Sequence, residues 1–270
     1  MSPEIIHENT LYAEPIAHVG SFPITNAMLN SWLVLVIVII LAVALRRSLK
    51  KVPKGLQNGM EMIVEMFLDL FDSVTGSRKK SLEFAPFALA FFFFILLNNW
   101  SGIVPGVGSI GQIVSRDGAR YFIPYFRGGT ADLNTTLALA TIGVVVSHIV
   151  GVIAVGWWNY LNKFINIKAL LEIPKKVLKD PTILIVNPIK IFVGFIEIIS
   201  ELAKVASLSF RLFGNVFAGE VLLASMSAIL AFGLPLPFLF LEILVGLIQA
   251  LIFTMLTLTY LTINTTQEEH

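Results

Sequence analysis

Few side chains in this chain can do chemistry, and those that can sit in apolar surroundings. Arg211 lies inside Glu197-Ile-Ile-Ser-Glu-Leu-Ala-Lys-Val-Ala-Ser-Leu-Ser-Phe-Arg-Leu-Phe-Gly-Asn-Val-Phe-Ala-Gly-Glu220. An ionisable group in such a segment costs roughly 2.5 to 3.5 kcal/mol on insertion scales, so a charge kept there points to function. Glu197, Lys204 and Arg211 recur every seven residues, with Glu201, Leu208 and Asn215 between them, so on a helix all six line one stripe. Glu220 lies nine residues past Arg211, about 180° round the helix and about 13 Å along it, while Glu197 lies about 21 Å the other way.

An arginine is always protonated and cannot relay protons, but its fixed charge draws the proton off a carboxylate that comes close. The stripe's own carboxylates, Glu197 and Glu201, are two and more turns away, so a carboxylate from another subunit would complete the site. Glu220 and Glu242 differ in kind. A carboxyl group in apolar surroundings can take up and release a proton near neutral pH. With Asn215 and Gln249 as hydrogen-bonding groups, the pair describes an aqueous half-pathway that stops at Arg211. The competing reading is a structural cluster in which the carboxylates neutralise the arginine.

The elements that hold these groups belong to a membrane protein. The chain has 270 residues, 56% hydrophobic and only 14% charged, with a mean hydropathy of +0.82; soluble domains average about 45 to 50% apolar and about 25% charged. The absence of cysteine excludes disulfides, thiolate metal sites and iron–sulfur clusters, and His7, His18, His148 and His270 are scattered. No cofactor, metal or nucleic-acid partner is expected. No signal peptide is read at the start.

Residues 1–25 form a segment without Lys or Arg, and a first span follows over 26–45. Residues 46–82 are basic at both ends and amphipathic between, with Met60, Ile63, Val64, Phe67, Leu68 and Phe71 on one face and Glu61, Glu65, Asp69 and Asp72 on the other. Residues 83–157 form a helical hairpin with a loop over 106–129. Its first helix carries four phenylalanines at 91–94, read as lipid or helix contacts, and Asn98 and Asn99, read as interhelical hydrogen-bond groups. Gly106-Val-Gly-Ser-Ile-Gly111 matches a dinucleotide-binding glycine pattern, but no strand–helix unit surrounds it. Asp132 caps the next helix, and a polar helix mouth there also suits an ion entrance. His148 is read as hydrogen-bonded packing.

Residues 158–187 form a second basic loop, with Lys163, Lys168, Lys175, Lys176 and Lys179 and the prolines Pro174 and Pro181. Thirteen basic residues flank the two loops on this side, against Arg116, Arg120 and Arg127 in the other, so by the positive-inside rule the N-terminus is external and the tail 264–270 cytoplasmic. Residues 188–263 form the last helix pair. No proline occurs over 189–234, which allows about 69 Å of helix against a hydrocarbon core of about 30 Å. Such a helix is either interrupted near Gly214 and Gly219 or strongly tilted; tilt is preferred. Pro235-Leu-Pro237 makes the turn, and Glu242, Gly246, Gln249 and Tyr260 share a face of the return helix. The expected architecture is therefore an all-α polytopic membrane protein of about five membrane helices plus an amphipathic surface helix, the last two long and near-horizontal.

These residues resemble the a subunit of the F-type ATP synthase membrane sector. The resemblance rests on Ser207-Leu-Ser-Phe-Arg-Leu-Phe-Gly-Asn-Val-Phe-Ala-Gly-Glu220, on the Gln249-Ala-Leu-Ile-Phe-Thr-Met-Leu-Thr-Leu-Thr-Tyr260 helix and on Thr130-Ala-Asp-Leu-Asn134. It covers the chain from about residue 25 to the end. The resemblance implies a stator subunit, not an enzyme by itself, in a bacterial inner membrane. Its implied partners are the c-subunit ring, the b-subunit peripheral stalk, the rest of the ATP synthase, lipid and protons. It further implies that Arg211 faces the ring carboxylate, that Asn215, Glu220, Glu242 and Gln249 match the outer half-channel, that Glu197 and Ser207 lie toward the cytoplasmic side, and that Tyr260 is a polar site near that end. Two other classes, a proton-coupled secondary transporter and a purely structural membrane scaffold, are distinguished by a midplane pocket with internal repeats and by tolerance of Arg211→Ala.

Overall fold

A computed structural model describes residues 5–6, 10–50, 52–104, 106–116, 119–165, 183–230 and 233–266. Two short strand systems precede and interrupt the helices. β2 (Pro15–Val19) and β3 (Phe22–Thr25) form an antiparallel hairpin, while β1 (Ile5–Ile6) runs parallel to β5 (Ala119–Pro124), which pairs antiparallel with β4 (Gly111–Arg116). The loop over 106–129 is thus partly a β-hairpin, which the sequence reading leaves without structure. Gly106 to Gly111 forms turns leading into β4, with no strand–helix unit around it.

α1 (Asn26–Ser48) starts where the Thr25 hydroxyl accepts from the Met28 N–H at 3.3 Å and ends with Arg46 and Arg47, which suit the helix C-terminus. α2 (Leu56–Thr75) is the expected amphipathic helix: Phe67, Leu68 and Phe71 are buried against α3 (Arg78–Ile103). Gly76 closes α2 in the left-handed region at φ 66°, donating to the Asp72 carbonyl. α3 begins at Arg78, so the basic cluster expected to end the preceding segment opens this helix. Arg78 bonds Asp69 at 3.1 Å, Asp72 at 3.0 Å and Glu65, tying the acidic face of α2 to it.

α4 (Leu133–Val155) is capped by Asp132, whose carboxylate accepts from the Asn134 and Thr135 N–H groups at 3.3 Å each. It ends at Gly156, φ 89°, before reaching Trp158, and α5 (Trp157–Ile165) follows as a separate short helix. α6 (Ile183–Ile229) is continuous over 47 residues, about 70 Å, so the alternative of a break near Gly214 and Gly219 is excluded. α7 (Pro235–Thr265) has 31 residues, about 46 Å. Its prolines open the helix, where a missing N–H costs nothing, and the turn itself falls just before them.

Among the described residues, 26–47, 78–103, 133–155 and 235–265 are each long and apolar enough to cross a membrane. With α6 they make five long helices, and the all-α polytopic architecture holds. α3, α4, α6 and α7 share one core that includes Ala88, Ile95, Ala140, Leu208, Leu212, Ala250 and Leu258. Phe91 stacks on Phe253 at 5.4 Å and Phe92 meets Phe67 at 4.5 Å, so this part of the phenylalanine run makes helix contacts.

Asn98 and Asn99 do bond between helices. Asn98 Oδ1 accepts from Ser31 Oγ at 3.1 Å; Asn99 Nδ2 donates to the Gly246 carbonyl at 2.9 Å, and Asn99 Oδ1 accepts from Thr130 Oγ1 at 2.6 Å. Such bonds satisfy polar groups that lipid cannot. The loop residues Lys168, Lys175, Lys176, Lys179, Pro174 and Pro181, and the last four residues of the tail, lie outside the described residues.

Candidate functional site

Three clusters of polar side chains are held by the helix scaffold, two of them inside it and one on its surface. The first is at the hairpin end, where α6 approaches the segment after β5. Arg127 grips Glu220 with two nitrogens: Nη2 donates to Oε2 at 2.7 Å, and Nε reaches Oε1 and Oε2 at 3.1 and 3.2 Å. The Arg127 side chain is only 6% exposed, and its remaining nitrogen donates to Thr10 Oγ1 and the Tyr12 carbonyl at 3.3 and 3.4 Å. Five residues on, Asp132 is also buried and accepts from the Ala13 N–H at 3.2 Å as well as capping α4. The N-terminal segment thereby touches both charged residues that flank this end.

Glu242 enters the same place from α7. Its carboxyl group lies directly against Gly219 of α6, in space that any Cβ at residue 219 would fill. Among the described residues it makes no ion pair or hydrogen bond. Glu242, Glu220, Arg127 and Asn99 line a cleft of about 190 Å³, with Val216 and Leu223 as apolar wall. The sequence places Glu220 and Glu242 near one end, and here they face one cavity. Asn215 and Gln249 are not among its lining residues: Asn215 is exposed on α6, and Gln249 is buried on α7.

The second cluster is Arg211 and its exposed surroundings. Arg211 points out of the fold, away from Glu220, as nine residues of helix require. Among the described residues it makes one hydrogen bond, to Ser207 Oγ at 3.4 Å, and no ion pair. Ser207, Phe210, Gly214 and Asn215 are exposed beside it, giving α6 a face of small and apolar side chains around one cation. The six-residue stripe is therefore not uniform: Glu201 and Leu208 are buried, whereas Arg211 and Asn215 are exposed. A seven-residue repeat drifts about 20° per heptad on a straight helix, and the neighbours packed on α6 change along its length.

The third cluster joins α4, α5, α6 and α7 toward the other end. Glu201 Oε1 accepts from Lys204 Nζ at 2.7 Å, and Glu201 Oε2 lies 3.4 Å from His148 Nε2. Burial, with Glu201 and Glu197 nearby, pushes the Tyr160 hydroxyl up, so it stays protonated, and it shares a hydrogen bond with His148 Nδ1. Lys204 stands over the Tyr260 ring at 5.0 Å. Glu197 is half-buried one turn before Glu201. His148 is thus hydrogen-bonded to Tyr160 and close to Glu201.

Sequence reasoning offers Arg127 only as one of three basic residues in a loop, and Tyr160 not at all. A partner 93 residues away leaves no local spacing signal. The Glu201–Lys204 pair, three apart on a helix, is the part of the third cluster that spacing makes legible.

A polytopic helix bundle with acid groups around an internal cleft, and an arginine on an outward helix face that meets no carboxylate among the described residues, is the architecture of a membrane protein suited to moving ions. The comparisons with known proteins agree: the sequence profile of the ATP synthase A chain family matches residues 28–262. The chain belongs to that family, and so is the ion-translocating membrane subunit of an ATP synthase and not an enzyme by itself. It is 30% identical to ATP synthase subunit a of Moorella thermoacetica over 246 residues, 91% of this chain and 93% of that one. The subunits a of Syntrophobacter fumaroxidans and Campylobacter curvus are 36% and 35% identical over 58% and 62% of this chain, and 59% and 66% of their own.

Proposed function

We propose that this chain is a stator that carries protons between two offset half-channels and the carboxylates of a rotating c-ring, coupling their flow to ATP synthesis. The observation that carries this reading is Arg211: a charged side chain exposed on a long apolar helix, without a carboxylate among the described residues. A cation in apolar surroundings needs an anion, and here a moving partner supplies it. On the far side of α6, the cleft of Glu220 and Glu242 supplies the external half-channel, with Asp132 at its rim and Asn215 and Gln249 leading toward Arg211. Glu197, Ser207 and Tyr260 lie on the cytoplasmic route.

A proton entering by the cleft neutralises a ring carboxylate, which can then leave the stator and cross lipid. The next carboxylate, drawn to Arg211, releases its proton to the cytoplasmic route, and Arg211 bars direct passage between the two. Each charge moved supplies about 2.3 kcal/mol per 100 mV, so several pass per ATP. The N-terminal segment and the loop over 106–129 join through β1 and β5, which supports placing both on the external side of a bacterial inner membrane, with the C-terminus cytoplasmic. The b-subunit stalk and the rest of the synthase complete the assembly.

Since the chain contains no cysteine, single cysteines report on this face cleanly. Ser207→Cys and Asn215→Cys should form disulfides with a cysteine set beside the ring carboxylate, while buried Leu208→Cys should not. No cross-link from either exposed position, in complexes that contain the ring, would remove this face as the contact.

A further inference from the structure

The two carboxylates of the cleft are not equivalent. Glu220 is gripped through both oxygens by Arg127, and Arg127 is itself held by Thr10 Oγ1 and the Tyr12 carbonyl, so that Glu220 sits at the end of a chain of contacts running into the N-terminal segment. Glu242, on the same cleft, has no such partner among the described residues and packs against the bare backbone of Gly219. A bidentate guanidinium fixes a carboxylate in position and orientation. A carboxylate without an ion-pair partner is the one free to exchange a proton with water in the cleft.

We propose that Glu220 and Glu242 divide the work of the external cleft: Arg127 is a positioning residue that locks Glu220 as an anchor joining α6 to the loop and the N-terminal segment, and Glu242 is the group that takes up and passes on the proton. This rests on the proton-pathway reading above and deepens it. The cleft is shaped by a loop and an N-terminal segment as well as by the long helices. Arg127 acts through Glu220 and through the width of the cleft, and touches no ring carboxylate.

The test uses assembled ATP synthase in membrane vesicles and measures turnover against the pH on the N-terminal side. Glu242→Gln should lose most proton-coupled turnover, and the turnover that remains should no longer depend on that pH. Glu220→Gln should slow turnover but leave the shape of the pH profile unchanged. Arg127→Ala leaves a carboxylate without its partner in a confined place, which is costlier than losing the pair; turnover of assembled complexes should fall about tenfold or more, as for misplacement of a positioned group. Arg127→Ala combined with Glu220→Gln removes both members and should recover most of that loss, and Arg127→Lys should recover part of it.

A changed pH profile in Glu220→Gln with an unchanged one in Glu242→Gln would overturn the division of labour. A double variant no better than Arg127→Ala would overturn the anchor. Arg211→Ala measured alongside separates the two levels: normal pumping there removes the whole pathway reading, whereas its loss together with parent-like Arg127→Ala removes only this proposal.

Discussion

Gly219 offers a perturbation that separates positioning from stability. It is buried in α6, and a Cβ there would overlap both oxygens and the carbon of the Glu242 carboxyl group. Ordinary contact between such atoms needs about 3.5 Å or more. Gly219→Ala therefore displaces the carboxyl group by on the order of 1 Å. The energetic consequences for the fold nearly cancel. Alanine in a helix interior gains up to about 1 kcal/mol over glycine. Turning a flexible glutamate out of its position costs about 0.5 to 1.5 kcal/mol. Assembly should stay at the level of the parent chain.

Function should not if Glu242 carries the proton as proposed, because a displacement of about 1 Å in a positioned reacting group can cost about 100-fold in rate, about 2.7 kcal/mol of barrier. The assay is ATP-driven acidification of inverted vesicles, normalised to assembled complex. Gly59→Ala in α2, where an added Cβ meets nothing within 4 Å, serves as control and should pump at the parent rate. Parent-rate pumping by fully assembled Gly219→Ala would refute the claim that the Glu242 carboxyl must occupy the space beside Gly219.

Two other predictions concern the scaffold. Asn99→Ala removes the side-chain bond to the Gly246 carbonyl and leaves the buried Thr130 hydroxyl without its partner at the α3–α7 contact, and a buried group left unpaired costs about 1 to 3 kcal/mol; the variant should lose its structure at a lower temperature in detergent, and an unchanged melting curve would contradict this. The Ser81 hydroxyl and the Arg78 guanidinium hold the Asp72 carboxyl below its ordinary range, so their contribution is present above about pH 4 and fades as pH falls below it. Protease sensitivity between α2 and α3 should accordingly rise on acidification, and Asp72→Asn should remove that pH dependence.

Much of the scaffold is readable because membrane helices follow from simple rules. The cap at Asp132, the amphipathic α2, the opposed directions of Arg211 and Glu220, and the excess length of α6 and α7 all come from local spacing and from 1.5 Å per residue. The misses are of two kinds. Strands β4 and β5 are short and flank Asp117-Gly118, a pair typical of tight hairpins, but high overall hydropathy directs attention to helices. The Arg127–Glu220 pair is set by how the loop folds back over α6, which no periodicity encodes. The seven-residue stripe shows the limit of face arithmetic: it groups residues on one helix side but cannot say which neighbour covers each stretch, so Leu208 is buried and Asn215 is not.

The most direct test of the central claim is the replacement of Arg211 by Lys and by Ala in assembled complexes, with ATP-driven proton pumping and passive proton conductance measured in the same vesicles. Lysine keeps the charge but loses the planar five-donor fork. Coupled pumping should stop in both, and Ala should raise passive conductance because nothing then separates the two proposed half-channels. Normal pumping in both variants would reduce Arg211 to a structural charge and contradict the account.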